Sequence, residues 1–177
     1  MNRKVTIQIL EWVKAVIIAL VIALVLRSFV FEVVRVEGPS MQDTLHTGQR
    51  VYIEKLLFRL TGPKRGDIVE CYFGESKDKT YIKRIIGMPG EELVILDGKI
   101  YINGYEYDDP WFDGNERTQN YLEGTWQIPE GEYFVLGDNR ANSSDSRRES
   151  VGCIPREDIL GKGLFRLWPL DKISSLQ

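Results

Sequence analysis

The stretch "ELVILDGKIYING", residues 92–104, decides the fold class of most of this chain. Two runs of strand-forming residues, 93–96 and 99–102, flank the pair Asp97-Gly98. An Asp-Gly pair between such runs is a strong signal for a two-residue turn joining antiparallel strands, because both residues tolerate positive φ. The stretch therefore predicts a β-hairpin.

Similar short runs recur on both sides of this hairpin, and no long helical period follows residue 31. The runs are "FEVVRVE", "RVYIEKL", "GDIVECYF", "TYIKRIIGM", "GEYFVLGD" and "ILGKGLFRLWPL". We therefore predict a mostly β domain with an antiparallel sheet over residues 32–177. Residues 105–126 show neither period and are rich in acidic, aromatic and turn residues, so we predict an irregular excursion there.

Residues 1–31 predict a cytoplasmic tip and one transmembrane anchor. An uninterrupted apolar run covers residues 15–26, and a span over residues 12–31 has the length that a bilayer requires. Lys14 and Arg27 flank the run and can reach the two interfaces. The alternative is a cleaved signal peptide, but the bulky sequence "RSFVFEVVRVE" offers no small-x-small cleavage site.

Basic residues before the apolar run favour a cytoplasmic N-terminus, with the β domain on the other side of the membrane. These residues are Arg3, Lys4 and Lys14, and they are partly balanced by Arg27 and Arg35 beyond the run.

Composition excludes several classes of function. The formal net charge of −3 provides no basic surface for nucleic acid. A single histidine and two cysteines make a zinc site improbable, and we expect no metal. Cys71 and Cys153 lie in apolar surroundings, where cysteine is usually a small buried hydrophobe; a single bridge between them remains open.

The segment "EGPSMQDTL", residues 37–45, presents Ser40 on a Gly-Pro turn just beyond the anchor. Ser40 could simply cap the turn that follows, since serine is a favoured N-cap residue. It could instead be a nucleophile, which would need an adjacent base. His46 is near in sequence, but no orienting carboxylate accompanies it, so a solvated loop histidine is the simpler interpretation.

Lys83 is the second candidate for that base. It lies within "TYIKRIIGMPGE", among strand formers, and alternation places Tyr81 and Ile85 on its face. Burial there would lower the pKa of the amine, and we expect the charge of Arg84 to act in the same direction. A neutral lysine can accept a serine proton. The alternative is an ordinary lysine at a strand edge.

A polar segment, "LGDNRANSSDSRRESVG", residues 136–152, follows a clear strand. Its Asn, Asp and Ser residues favour a loop with internal hydrogen bonds. Ion pairs that use Asp138 and Asp145 would make this loop rigid, and rigid polar loops often support catalysis. A plain surface loop is the alternative.

Four of these segments, "GPSMQDTL", "RGDIVE", "YIKRIIGMPGE" and "GDNRANSSDSR", occur in this order after one N-terminal anchor. Together they closely resemble the boxes of bacterial type I signal peptidases, the leader peptidases with a Ser-Lys dyad. The single anchor and the compact size look more like the Gram-positive members. The resemblance implies a membrane-bound serine endopeptidase that removes signal peptides from secreted preproteins, without a cofactor, on the extracytoplasmic side of the cell membrane.

The resemblance also implies roles for individual residues. Ser40 would be the nucleophile and Lys83 the general base. Ser143 would hydrogen-bond the lysine and orient it, and Met41 would shape the floor of the substrate site. Two supporting ion pairs are implied, Arg84 with Asp138 and Asp145 with Arg147.

Two positions depart from the family pattern. Gly38 stands where some Gram-negative relatives carry an oxyanion-hole serine, so the Ser40 N–H would bear more of that load. Ala141 stands where a polar residue is more usual. Two alternatives remain: a soluble, self-processing Ser-Lys peptidase of the repressor-cleaving type, and a non-catalytic assembly or chaperone protein with the same fold.

Overall fold

The computed structural model describes residues 3–74, 77–111 and 123–176, and it opens with one long helix, α1 (Arg3–Phe29). Residues Ile7–Leu24 of α1 have a mean hydropathy of 2.2, and none of this segment is buried against the rest of the protein. An 18-residue apolar segment is about 27 Å long as a helix, close to the thickness of a bilayer core. Phe31 already belongs to the first strand, so the helix ends slightly before the predicted limit of the anchor.

Beyond α1 the chain is mostly β, as predicted. An eight-stranded antiparallel sheet has the order β1-β2-β11-β3-β4-β9-β10, with β12 added to β11. Its strands are β1 (Phe31–Arg35), β2 (Arg50–Glu54), β3 (Ile68–Tyr72), β4 (Thr80–Gly87), β9 (Glu132–Leu136), β10 (Ile154–Pro155), β11 (Ile159–Trp168) and β12 (Ser174–Ser175).

A second sheet contains the predicted hairpin. Its order is β7-β6-β5-β8, formed by β5 (Glu92–Leu96), β6 (Lys99–Ile102), β7 (Tyr105–Tyr107) and β8 (Gly124–Gln127). Leu96 pairs with Lys99, and the two turn residues between them have φ values of 50° at Asp97 and 76° at Gly98. Positive φ at both positions is the geometry that an Asp-Gly turn favours.

The prediction of an irregular excursion over residues 105–126 is wrong at both ends. Residues 105–107 form β7 on β6, and residues 124–127 form β8 on β5. Neither segment has an alternation clear enough to be recognised as a strand from its sequence. Each is stabilised in the structure by pairing with the existing hairpin. Residues 112–122 of the predicted excursion lie outside the described residues.

A short helix, α2 (Leu56–Thr61), interrupts the run that we assigned to a longer strand, "RVYIEKL". The Glu54 carboxylate accepts hydrogen bonds from the backbone N–H groups of Leu57 (2.6 Å) and Phe58 (2.8 Å). These bonds satisfy amides that a helix start leaves without partners. Phe58 anchors the helix in the core, whereas Leu57 is exposed.

Three apolar clusters form the core, and one of them joins the two sheets. One lies under β3, β4 and β9, and another lies between the two sheets around Phe134. The third packs the segment after β1 onto the face of the large sheet that carries Val51, Ile53 and Ile82. Both cysteines are free thiols, so the bridge left open above is not formed.

Candidate active site

The turn that carries Ser40 is fixed on the third cluster. Met41 and Leu45, which follow Ser40, are buried in that cluster, and the Leu45 N–H donates to the Met41 carbonyl (2.7 Å). The Ser40 carbonyl accepts a hydrogen bond from the Asn139 N–H (3.1 Å), which ties the turn to the polar loop after β9. Local burial and one long-range hydrogen bond therefore position this hydroxyl.

Lys83 reaches Ser40 from strand β4. Its side chain is 2% exposed, and its Nζ lies 2.8 Å from Ser40 Oγ and 3.0 Å from the Ile82 carbonyl oxygen. The rings of Phe73 and Tyr81 lie 5.7 Å and 5.9 Å from Nζ. The amine therefore sits between aromatic surfaces, with one carbonyl to orient it and the serine hydroxyl within hydrogen-bond distance.

Burial lowers the pKa of Lys83, and smaller effects from Cys71, Asp145 and Asp138 act in the opposite direction. The effect of Cys71 requires a thiolate. Burial raises the pKa of Cys71 to about 12, so this thiol is uncharged at neutral pH and does not stabilise the ammonium. The site therefore favours the neutral amine.

Arg84 does not lower the pKa of its neighbour, contrary to our expectation. It follows Lys83 on β4 and its side chain lies on the opposite face, where it forms a bidentate ion pair with Asp138 (2.8 and 2.7 Å). Its third hydrogen bond goes to the Gly66 carbonyl (2.8 Å), and the Trp111 ring lies 4.4 Å from the guanidinium carbon. The positive charge is thus compensated by a partner, and desolvation determines the state of Lys83.

A second buried ion pair shapes the polar loop. Asp145 accepts bonds from Arg147 at both oxygens (2.7 and 2.8 Å) and from the Gly137 N–H (3.0 Å). Arg147 also donates to the Arg140 carbonyl (2.8 Å). Arg140 in turn forms a buried ion pair with Asp109. These contacts hold the loop that touches the Ser40 turn, so both ion pairs implied by the resemblance are present in the structure.

A groove of about 260 Å³ runs past the serine and the lysine. One wall is the outer edge of β1. The other is the part of β4 before Arg84, which is open because β9 pairs with β4 only from Arg84 onward. Lining residues include Met41, Ile82 and two valines at positions 34 and 36. The groove is therefore open to an extended peptide and has a largely apolar floor.

Comparison with known proteins agrees with this geometry. Residues 9–168 match the family described as signal peptidase, peptidase S26. The chain is 41% identical to signal peptidase I of Bacillus licheniformis (92% of this chain, 90% of that protein) and 40% identical to signal peptidase I T of Bacillus subtilis strain 168 (97% and 91%).

The chain belongs to the signal peptidase family. A solved signal peptidase I from Enterococcus faecalis V583 shares the fold, with a TM-score of 0.51 and 30% identity over 58% of this chain and 97% of that one. The resemblance read from the four sequence boxes is confirmed, and this family member is a serine endopeptidase that cleaves signal peptides from preproteins.

One residue of this signal peptidase site is not arranged as expected. Ser143 Oγ is buried and has no hydrogen-bond partner among the described residues, so it does not bond Lys83 here. It instead lies over Gly137, beside the Ser40 carbonyl. The Lys83 amine donates a hydrogen bond to the Ile82 carbonyl (3.0 Å), and this bond orients it instead of Ser143.

The two departures from the family pattern are also located. Gly38 has a φ of 82°, which residues with a side chain rarely adopt, and a Cβ built there would meet no atom within 4 Å. Ala141 is exposed in the 3-10 helix Arg140–Asn142. The remaining histidine, His46, is exposed in the turn after Leu45. No cluster of three or more potential metal ligands exists among the described residues.

Sequence reasoning did not identify Gly137 or Trp111 as parts of this site. A Cβ at Gly137 would overlap the Ser40 carbonyl, and a Cβ at Gly66 would overlap the Trp111 ring. The tryptophan lies in the segment that we described as an excursion. No local pattern indicates either packing contact, because each depends on elements far apart in sequence.

Proposed function

We propose that Ser40 is the nucleophile and Lys83 the general base of peptide-bond cleavage in this chain. The observation that supports this assignment is the distance of 2.8 Å between Lys83 Nζ and Ser40 Oγ, together with the burial that lowers the pKa of the amine. Lys83 Nζ accepts the proton of Ser40 Oγ, which bonds to the substrate carbonyl carbon. The protonated amine then gives this proton to the leaving amino group as the peptide bond breaks.

The acyl-enzyme that remains is an ester on Ser40. Neutral Lys83 next takes a proton from water, the hydroxyl attacks the ester carbonyl, and the proton returns to Ser40 Oγ. The Ser40 N–H is the backbone donor available to the developing oxyanion, because position 38 carries no side chain. A fixed donor of this kind contributes about 10²–10³-fold in comparable enzymes.

We assign the substrate to the groove between β1 and β4. The Val36 N–H bonds to Gln49, which directs the backbone of Arg35 toward the open side of β1. On β4, Ile85 bonds to Asp67 across the strand, so alternation turns the Ile82 backbone groups toward the groove. A preprotein segment can therefore dock as an extended strand. The apolar floor, with Met41, fits small side chains.

The supporting residues act by fixing the reacting groups. The ion pair of Arg84 with Asp138 and the ion pair of Asp145 with Arg147 hold the loop whose Asn139 N–H bonds the Ser40 carbonyl.

We place α1 across the bilayer, with the N-terminus in the cytoplasm and the β domain outside. The support is its exposed apolar surface and the basic residues Arg3, Lys4 and Lys14, which lie in the helix before its uninterrupted apolar run. Helix α2 adds exposed leucines close to the end of α1, since the Lys55 N–H bonds the Val30 carbonyl (3.0 Å). This arrangement brings the active site and a membrane-held substrate to one surface, which raises their effective concentration.

The test is processing of a signal-bearing preprotein by the purified full chain in detergent. Ser40→Ala and Lys83→Ala should each abolish processing, whereas the matched controls Ser144→Ala and Lys99→Ala, both at exposed positions, should retain it. Undiminished processing by either dyad variant would refute the assignment of that residue. Absence of processing by the wild type would favour the non-catalytic alternative.

A further inference from the structure

Glu70 is a buried carboxyl group under the substrate groove. It lies in the middle of β3 and is 2% exposed, and its Oε2 has no hydrogen-bond partner among the described residues. Its direct partner across the ladder is Ile82, which lines the groove. Residues opposite each other in a ladder share a face, so the Glu70 side chain is on the groove side of the sheet.

The surroundings of Glu70 do not compensate it as an ion. Burial is the largest effect and raises its pKa; the hydrogen bond from Thr80 lowers it, and the smaller effects of Glu32 and Lys55 oppose each other. Lys55, however, is paired with Glu32 at 2.5 Å. The hydrogen-bond partner of the carboxyl is the Thr80 hydroxyl. A buried polar group with so little compensation costs stability, which calls for a reason.

Thr80 connects this carboxyl to the groove. Thr80 is a lining residue, two positions before Ile82 on the same face of β4. A hydroxyl has one hydrogen to donate and two lone pairs. With one hydrogen bond committed to Glu70, Thr80 Oγ1 keeps a lone pair for a donor in the groove.

The position of Thr80 identifies the substrate residue that it meets. From Ser40 the groove extends past Val36 and Val34 toward the start of β1, where α1 ends. The membrane-held part of the substrate, upstream of the cut, comes from that end. The residue whose carbonyl is attacked lies beside Lys83, and the next substrate side chain on the floor is two residues upstream, beside Thr80.

We propose that Thr80, positioned by Glu70, forms a polar subsite that favours a hydroxyl side chain at the third residue before the cleaved bond. This inference rests on the proposed function of Ser40 and Lys83. The substrate hydroxyl donates to Thr80 Oγ1, while its methyl or methylene group contacts Val34 and Ile82. A neutral hydrogen bond contributes about 0.5–1.5 kcal/mol, which corresponds to a discrimination of about threefold to tenfold.

The experiment compares two preproteins that are identical except for threonine or valine, which have the same shape, at this third position. Wild-type full-length chain in detergent should have a kcat/KM about threefold to tenfold higher for the threonine substrate. Thr80→Val and Glu70→Val should reduce this ratio to about one. Glu70→Gln should restore it, since an amide also bonds the Thr80 hydroxyl.

Thr125→Val on the exposed part of β8 is the matched control and should retain the wild-type ratio. A merely structural role for Glu70 would change stability but not the ratio. Equal cleavage of both substrates by the wild type, or an unchanged ratio in Thr80→Val, overturns the proposal; Thr80→Val serves alone if Glu70→Val fails to fold. Failure of the wild type to cleave either substrate would instead refute the dyad.

Discussion

A single methyl group at Gly137 should separate the two members of the dyad. An ideal Cβ there would lie 2.4 Å from the Ser40 carbonyl oxygen and 2.3 Å from Ser143 Oγ, against an ordinary contact of 3.4–4 Å. Ser143 can rotate away, but the Ser40 carbonyl is backbone and has to move by about 1 Å. Displacements of about 1 Å cost about 10²-fold in rate at other active sites.

The assay for Gly137→Ala is kcat/KM on a preprotein, together with the free energy of unfolding. We expect activity about 10²-fold below wild type and a destabilisation of about 1–3 kcal/mol from overpacking. The control is the overpacking variant Gly163→Ala in β11, whose Cβ would meet the Val51 side chain at 3.2 Å, closer than an ordinary contact. The atoms nearest to this Cβ belong to Val51 and Ile68 and not to the dyad, so stability should fall while activity is retained. Wild-type activity in Gly137→Ala would refute the claim that contact with the loop positions Ser40.

Three further predictions concern buried ionisable groups. First, kcat/KM should rise as the pH passes the lowered pKa of Lys83, because only the neutral amine accepts a proton. The free energy of unfolding should also rise with pH between this pKa and about 10.5, because in that range the unfolded lysine is protonated and the folded one is not. In Lys83→Met this rise in stability should vanish, and activity should fall by about 10⁴-fold or more. Second, Asp138→Asn should cost about 3–5 kcal/mol in denaturant unfolding because it leaves Arg84 buried without its counter-ion, whereas replacing both by apolar residues should cost less. Third, a thiol reagent should react slowly with the native chain, since burial raises the pKa of Cys71 to about 12 and that of Cys153 to about 11; rapid labelling before unfolding would contradict this.

The parts of the fold that depend on neighbouring residues could be predicted from the sequence. The hairpin at Asp97-Gly98 needs only two adjacent residues with positive φ. Alternation around Lys83 indicates on which face of β4 its side chain lies. Helix α2 was missed because its main signal is the Glu54 carboxylate, which caps two amides of the following turn. Strand β8 was missed because its pairing partner is about 30 residues away in the chain.

The site was predictable in its residue types and not in its contacts. Ser40 and Lys83 are separated by 43 positions, and their approach depends on where β9 stops pairing with β4. The expectation for Ser143 failed because its hydrogen bond depends on a side-chain rotation that no pattern specifies. The expectation for Arg84 failed because adjacency in sequence means opposite faces in a strand.

That alternation explains how one strand places two adjacent basic residues in different environments. Arg84 leaves β4 on one face and finds Asp138, so its charge is compensated deep in the protein. The Lys83 side chain lies on the other face, near two aromatic rings, an uncharged thiol and the Ile82 carbonyl. Burial there lowers the pKa of its amine. A one-residue slip of β4 would exchange these environments: it would give the lysine a carboxylate and so remove the base, and it would leave the guanidinium buried without a partner. The register of β3, β4 and β9 therefore determines both stability and catalysis, and a mutation that shifts this register should lose both together.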